Sequence, residues 1–166
     1  PRSTLFPYTT LFRSCNCSLR TFNAWIDDSD KSHDVGFVTL NDGGNDNGTV
    51  VDAVGGYGIA WDGSYEFQAT IFGYPSNKTE PNGRYSMHTC RDSVFRTEPD
   101  DSRVSVDDCS FGLGASGGPW LYRYSEDSRL GYVRAVTSTW RPLDGRNTAS
   151  YFTSEVKSMM DETAWE

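Results

Sequence analysis

Between Asp108 and Leu121 the chain reads Asp-Cys-Ser-Phe-Gly-Leu-Gly-Ala-Ser-Gly-Gly-Pro-Trp-Leu. Ser116 stands in this string with Gly114 before it and Gly117, Gly118 and Pro119 after it. A serine hydroxyl is a weak nucleophile until a neighbouring base takes its proton. Flanking glycines let the backbone turn tightly and let a substrate come close. Backbone N–H groups beside the serine can then stabilise an oxyanion. A bare Gly-x-Ser-x-Gly also fits an ordinary Gly-rich turn between strands. The longer Gly-x-Ser-Gly-Gly-Pro-Trp string is much more specific for an acyl-transfer nucleophile.

One known setting for such a serine is a strand-to-helix elbow, with the acid and the histidine later in the chain. Here Pro119 and the strand-like Trp120–Tyr124 follow, and no histidine comes after Ser116. The other order places histidine and aspartate before serine. It asks for an aspartate well upstream at a strand start. Asp34, heading Asp34-Val-Gly-Phe-Val-Thr-Leu40, fits, with a solvated turn acid as the plainer alternative. His33 and His88 are the only histidines. His33 adjoins Asp34, and neighbours on a strand point to opposite faces. His88 lies between aspartate and serine, outside the order. Both read as surface or packing residues.

These strings resemble the trypsin-like serine endopeptidases of chymotrypsin fold, and especially the secreted bacterial and fungal branch near the glutamyl endopeptidases. Asp34-Val35-Gly36-Phe37-Val38 is similar to that family's Asp-hydrophobic-Ala-hydrophobic-hydrophobic motif, with Gly36 in place of alanine. Ala24-Trp25 resembles its Gly-Trp, Phe72-Gly73-Tyr74-Pro75 its Gly-Tyr-Pro turn, and Val133–Ser138 the strand lining its primary specificity pocket. The resemblance spans about residues 20–160.

The resemblance implies Ser116 as nucleophile, the amides of Gly114 and Ser116 as oxyanion hole, and Asp34 as the residue orienting a histidine. It places Ser110 at the base of the primary pocket and Ser138, Thr139 and Trp140 along one wall. Ser110 is neutral, so selection of Lys or Arg by a buried carboxylate is not expected. Thr137 takes about the place where the glutamyl branch has a histidine, so acidic-residue specificity does not carry over. Ala115 stands where animal members have aspartate, which disfavours activation through a new N-terminus. The resemblance also pairs Cys90 with Cys109, two separate thiols being the alternative. It puts the family's base in an Ala-His-Cys motif upstream of Cys15. The expectation is therefore that the base is lost by truncation and that the chain as written is inactive. A non-catalytic homologue acting as an extracellular binding module is the rival reading, and an unrelated all-β adhesin a third.

The elements that must hold these residues read as short strands. Besides Asp34–Leu40, apolar or alternating runs occur at Val50–Val54, Tyr57–Trp61, Glu66–Tyr74, Arg84–Arg91, Val104–Val106, Pro119–Tyr124 and Leu130–Thr139, separated by Gly, Pro, Asn and Asp. Such spacing predicts an antiparallel barrel or sandwich. Phe152, Val156 and Met159/Met160 recur at helical spacing, predicting a C-terminal helix capped by Thr153 or Ser154. The expected fold is all-β: a double antiparallel barrel with the first barrel mostly missing and a C-terminal α-helix. Residues 15–49 would be the remnant of the first barrel with a linker, and residues 50–166 the second barrel with its helix.

Residues 1–14 stand apart. They carry no acid, and Thr4–Ser14 reads as the translation of a sequencing adapter, so the segment is expected to be an artefact. The 166 residues hold 23 acidic and 15 basic side chains, net charge −8, which disfavours nucleic-acid binding. No apolar run reaches the ~20 residues of a membrane span. No cofactor or metal is expected, since Cys15 and Cys17 lack a second ligand pair. Asn41–Gly48 lacks the spacing of an EF-hand loop. Sequons at Asn16, Asn47 and Asn77 suit a secreted protein. A monomer acting on protein or peptide substrates is expected.

Overall fold

The computed structural model describes residues 18–40, 49–80 and 82–163. Cys15, Cys17, the sequons at Asn16 and Asn47 and the Asn41–Gly48 loop lie outside them.

Six strands close a barrel: β4 (Phe67–Gly73), β5 (His88–Arg96), β6 (Arg103–Val106), β7 (Pro119–Ser125), β8 (Leu130–Trp140) and β9 (Asn147–Tyr151). The order around it is β8-β7-β4-β5-β6-β9, and a β8–β9 pairing returns to the start, all antiparallel. Closure leaves no free edge among the six. β3 (Gly58–Ile59) runs parallel to β8 on its outside. A separate two-stranded sheet pairs β1 (Ser18–Thr21) with β2 (Gly36–Thr39). Between those two lie α1 (Asn23–Asp28) and a single 3-10 turn, Lys31–His33. No helix among the described residues is long and apolar enough to cross a membrane.

The alternating runs read from the sequence fall on β2 to β8, with β5 beginning later than expected, at His88. Val50–Val54 is a correction. It forms a short helix, α2, because Thr49 caps it: the Thr49 hydroxyl accepts from the Asp52 amide while the Asp52 carboxylate accepts from the Thr49 amide. That reciprocal pair satisfies two orphan donors and outweighs the strand preference of three valines.

The barrel interior holds Ile71, Val104, Val106, Phe111, Trp120, Ala135, Ala149 and Tyr151. Each large side chain buried there contributes about 1.5–3 kcal/mol. Arg134 also points inward. Its guanidinium lies 4.9 Å from the Phe67 ring centre and 4.8 Å from that of Tyr122, and donates to the Tyr151 hydroxyl and the Asp62 carbonyl. A second cluster joins Val35 to Phe152, just ahead of the C-terminal helix α3 (Ser154–Thr163), and to Val156 within it. The expected apolar stripe of that helix thus packs the segment around Asp34 onto the barrel.

Candidate active site

Ser116 sits in the turn that leads into β7. The Gly117 amide donates to the Thr137 carbonyl at 2.8 Å, the Thr137 amide to the Gly118 carbonyl at 3.0 Å, and the Gly118 amide to the Ala115 carbonyl at 3.0 Å. These bonds pin both flanks of Ser116 while its side chain stays exposed. Two glycines are obligatory on geometry. Gly114 has φ +92°, and a Cβ on it would meet the Tyr74 carbonyl at 2.9 Å. A Cβ on Gly118 would lie 2.3 Å from the Phe72 carbonyl. The turn therefore rests directly on the backbone at the end of β4. Among the described residues nothing accepts from the N–H of Gly114 or of Ser116. Free amides beside a nucleophile are the groups an oxyanion hole requires.

Asp34 follows the 3-10 turn and is half-buried. Its Oδ2 accepts from the Ser138 hydroxyl at 2.6 Å, 104 positions along the chain. The register of β8 against β9 slips between Thr137 and Thr139, so Ser138 occupies a bulge. Bulges re-aim side chains, and here Ser138 is turned to Asp34. The Ser150 hydroxyl on β9 donates to the Asp34 and Lys31 carbonyls. Neighbouring residues of one strand, Thr137 and Ser138, thus bind the serine turn and the aspartate respectively.

Neither histidine joins them. His33 places Nδ1 2.7 Å from Asp30 Oδ2 and Nε2 3.1 Å from Glu155 Oε2. Burial alone would lower its pKa, but those two carboxylates outweigh it and raise the value above the ordinary 6.5. Bonds from the Ser32 hydroxyl and amide, with the His33 contact, hold the Asp30 carboxyl at about 2. His88 donates from Nε2 to the Lys78 carbonyl at 2.7 Å. Both rings are committed elsewhere, in agreement with the sequence reading.

The four residues assigned to a specificity pocket fall into two groups. Ser138, Thr139 and Trp140 end β8, and Ser110 lies before the serine turn with φ +47°. A cavity of about 610 Å³ borders Ser116, but it is lined by Tyr57, Phe72, Tyr74, Met87 and Tyr124 with residues 114–119, and by none of those four. The Thr137 hydroxyl accepts from the buried Trp120 indole at 2.9 Å, so it faces the core and not a pocket. Cys90 and Cys109, 19 positions apart, form the expected disulfide ahead of the serine turn. Among the described residues no group of three metal-ligating side chains occurs.

Sequence reasoning missed two residues that shape the segment before Ser116. Asn147, 1% exposed, accepts from the Phe111 amide through Oδ1 and donates to the Phe111 carbonyl through Nδ2, both at 2.8 Å. Asn77 bonds Ser110 and Gly112. An Asn in β9 carries no motif, and Asn77 is masked by its sequon, so no sequence signal marks either.

No family model matches the chain, and no curated protein matches it. Solved structures do. Protease Anisep from Arthrobacter nicotinovorans superposes with TM-score 0.73 and 21% identity, over 90% of this chain and 66% of that one. The thermostable serine protease AL20 from an extremophilic microorganism gives 0.73 and 24%, over 90% and 67%. Glu endopeptidase, in complex with MPD, gives 0.71 and 16%, over 92% and 65%. The chain therefore spans about two thirds of the length of these proteins. At such identities the likeness establishes the fold, that of chymotrypsin-like serine proteases.

Proposed function

We propose that this chain comprises the second barrel and a remnant of the first of a secreted serine endopeptidase that cleaves peptide bonds through an acyl-enzyme on Ser116, the chain as written being inactive for lack of the catalytic histidine. The Ser138–Asp34 hydrogen bond carries the proposal. A structural Gly-rich turn needs no aspartate fixed to the strand that pins it, whereas a triad does.

In this reading Asp34 orients an imidazole and stabilises the imidazolium formed during reaction. Neither His33 nor His88, the two histidines of these 166 residues, is that imidazole. Ser116 Oγ attacks the scissile carbonyl as its proton passes to that imidazole. The amides of Gly114 and Ser116 stabilise the oxyanion, each contributing about 2.7–4 kcal/mol in the transition state. The proton then goes to the leaving amine, the acyl group stays on Ser116, and water releases it by the same steps in reverse roles. Ser110, Thr139 and Trp140 are assigned to the primary pocket, and no cofactor takes part. Residues 15–49 belong to the first barrel and its linker, with residues 1–14 foreign to the protein.

The commitment of both histidine rings elsewhere favours a second reading, a non-catalytic homologue that binds partners outside the cell. A fluorophosphonate probe on the full-length protein separates the two. Labelling that disappears in Ser116→Ala supports the endopeptidase. A folded protein that takes no label refutes it and leaves the binding module.

A further inference from the structure

We propose that Asn77 is a positioning residue for the serine loop, a role that competes with its use as a glycan acceptor. The proposal rests on the reading of Ser116 as nucleophile. Asn77 lies in a 3-10 turn, Ser76–Lys78, just beyond β4, within the sequon Asn77-Lys78-Thr79. Its Oδ1 accepts from the Gly112 amide at 2.8 Å and its Nδ2 donates to the Ser110 carbonyl at 3.0 Å. The same turn makes two more bonds to this segment. The Ser76 amide donates to the Leu113 carbonyl at 2.7 Å and Lys78 Nζ to the Cys109 carbonyl at 2.9 Å. Four bonds thus run along residues 109–113 in place of a strand ladder, immediately before Gly114 and Ser116.

The fit is tight as well as bonded. A Cβ on Gly112 would lie 2.6 Å from Asn77 Oδ1 and 2.7 Å from its Cγ, so Gly112 exists to admit this carboxamide. Asn147, through its two bonds to Phe111, and the Cys90–Cys109 disulfide hold the same segment. Ser110 is held at φ +47°, a conformation uncommon for a residue other than glycine. Asn77 therefore sets where the Gly114 amide points.

The sequon conflicts with this use. A sugar joined to Nδ2 adopts the trans amide arrangement of a peptide, which puts the sugar carbon on the same side as Oδ1. The Nδ2 that would carry the sugar is the atom that donates to the Ser110 carbonyl, so glycan and clamp compete for it.

Amide hydrogen exchange and NMR of the ¹⁵N-labelled chain test the clamp without any need for turnover. In Asn77→Ala the Gly112 amide is expected to exchange about tenfold faster, with Gly114 and Ser116 resonances displaced and barrel amides such as Ile71 unchanged. In Asn77→Asp the Gly112 amide resonance is expected to titrate with a carboxyl group, a signature that looser packing does not produce. On the full-length protein, Asn77→Ala is expected to slow fluorophosphonate labelling of Ser116 about tenfold. Gly112 unaltered in both variants overturns the proposal, and so does a freed Gly112 with unchanged labelling. A sugar on Asn77 in chains with the unmodified thermal midpoint overturns it too. If wild type takes no label, the endopeptidase reading fails, while the NMR result still decides the clamp.

Discussion

Replacing Asn147 by alanine removes a carboxamide that imitates a β-ladder partner for Phe111. Both of its bonds are 2.8 Å long and the residue is 1% exposed, so water cannot substitute. The variant leaves the Phe111 N–H and C=O buried without partners. Each such group costs about 1–3 kcal/mol, giving about 4 kcal/mol for the pair. That is a large share of the roughly 5–15 kcal/mol by which a domain is stable. It corresponds to a fall in Tm of about 8–16 °C for a chain of this size. Urea unfolding followed by tryptophan fluorescence measures it, with the m-value checked for constancy. Asn147→Asp keeps the acceptor for the Phe111 amide but sets a carboxylate against the Phe111 carbonyl. It is expected to be as destabilising at neutral pH and to recover when the carboxyl is protonated. A loss below about 1 kcal/mol in Asn147→Ala, with unchanged m, refutes the claim that these bonds hold the approach to Ser116.

Replacing Cys90 and Cys109 together by serine opens a loop whose ends lie 19 positions apart, which predicts a loss of about 3 kcal/mol, or about 6–12 °C in Tm by calorimetry. Gly118→Ala drives a Cβ into the Phe72 carbonyl and is expected to cost about 1–3 kcal/mol. Gly117→Ala, with nothing within 4 Å of the added carbon, costs about 1–2 kcal/mol from its φ of +76° alone, so chemical denaturation should rank Gly118→Ala lower or equal and show loop displacement only there. His33 has a raised folded-state pKa, so its contribution is full below about pH 6.5 and is lost as pH rises through the folded value. Urea midpoints across that window should fall with rising pH, and Glu155→Gln should flatten the fall.

The serine loop was legible because glycine and proline leave their mark wherever backbone must approach backbone. Gly114 and Gly118 are required by the Tyr74 carbonyl just beyond β4 and the Phe72 carbonyl within it, and no other residue type meets that requirement. Strands with apolar alternation were legible for the same kind of reason. β9 was not. Asn147-Thr-Ala-Ser-Tyr151 is entirely buried yet mostly polar, its hydroxyls and amide being satisfied by Ser105, Lys31 and Phe111. A pattern rule that looks for apolar residues passes over a strand whose burial rests on hydrogen bonds. α1 was missed because none of its residues is buried, leaving no apolar face to read. Thr137 illustrates a converse limit. Family position suggested a pocket wall, but one buried indole claims its hydroxyl.

The position of Asp34 has a consequence for how such a site is assembled. An acid that orients a histidine could be held by the barrel that brings the histidine, or by the barrel that brings the serine. Here the Asp34 carboxylate and carbonyl are held by the serine's barrel, through Ser138 on β8 and Ser150 on β9, while Val35 packs on Phe152 and Val156 and its carbonyl accepts from the Thr21 hydroxyl of β1. His33 adds a polar bond to Glu155 at the start of the same helix. Asp34 and the Ser116 turn are thus bonded to adjacent residues of one strand, Ser138 at a β-bulge and Thr137 beside it. In the proposed triad, the incoming imidazole finds these two groups already placed. Entropy favours that division, because the cost of fixing two of the three groups is met by folding of the barrel and not during binding of the third.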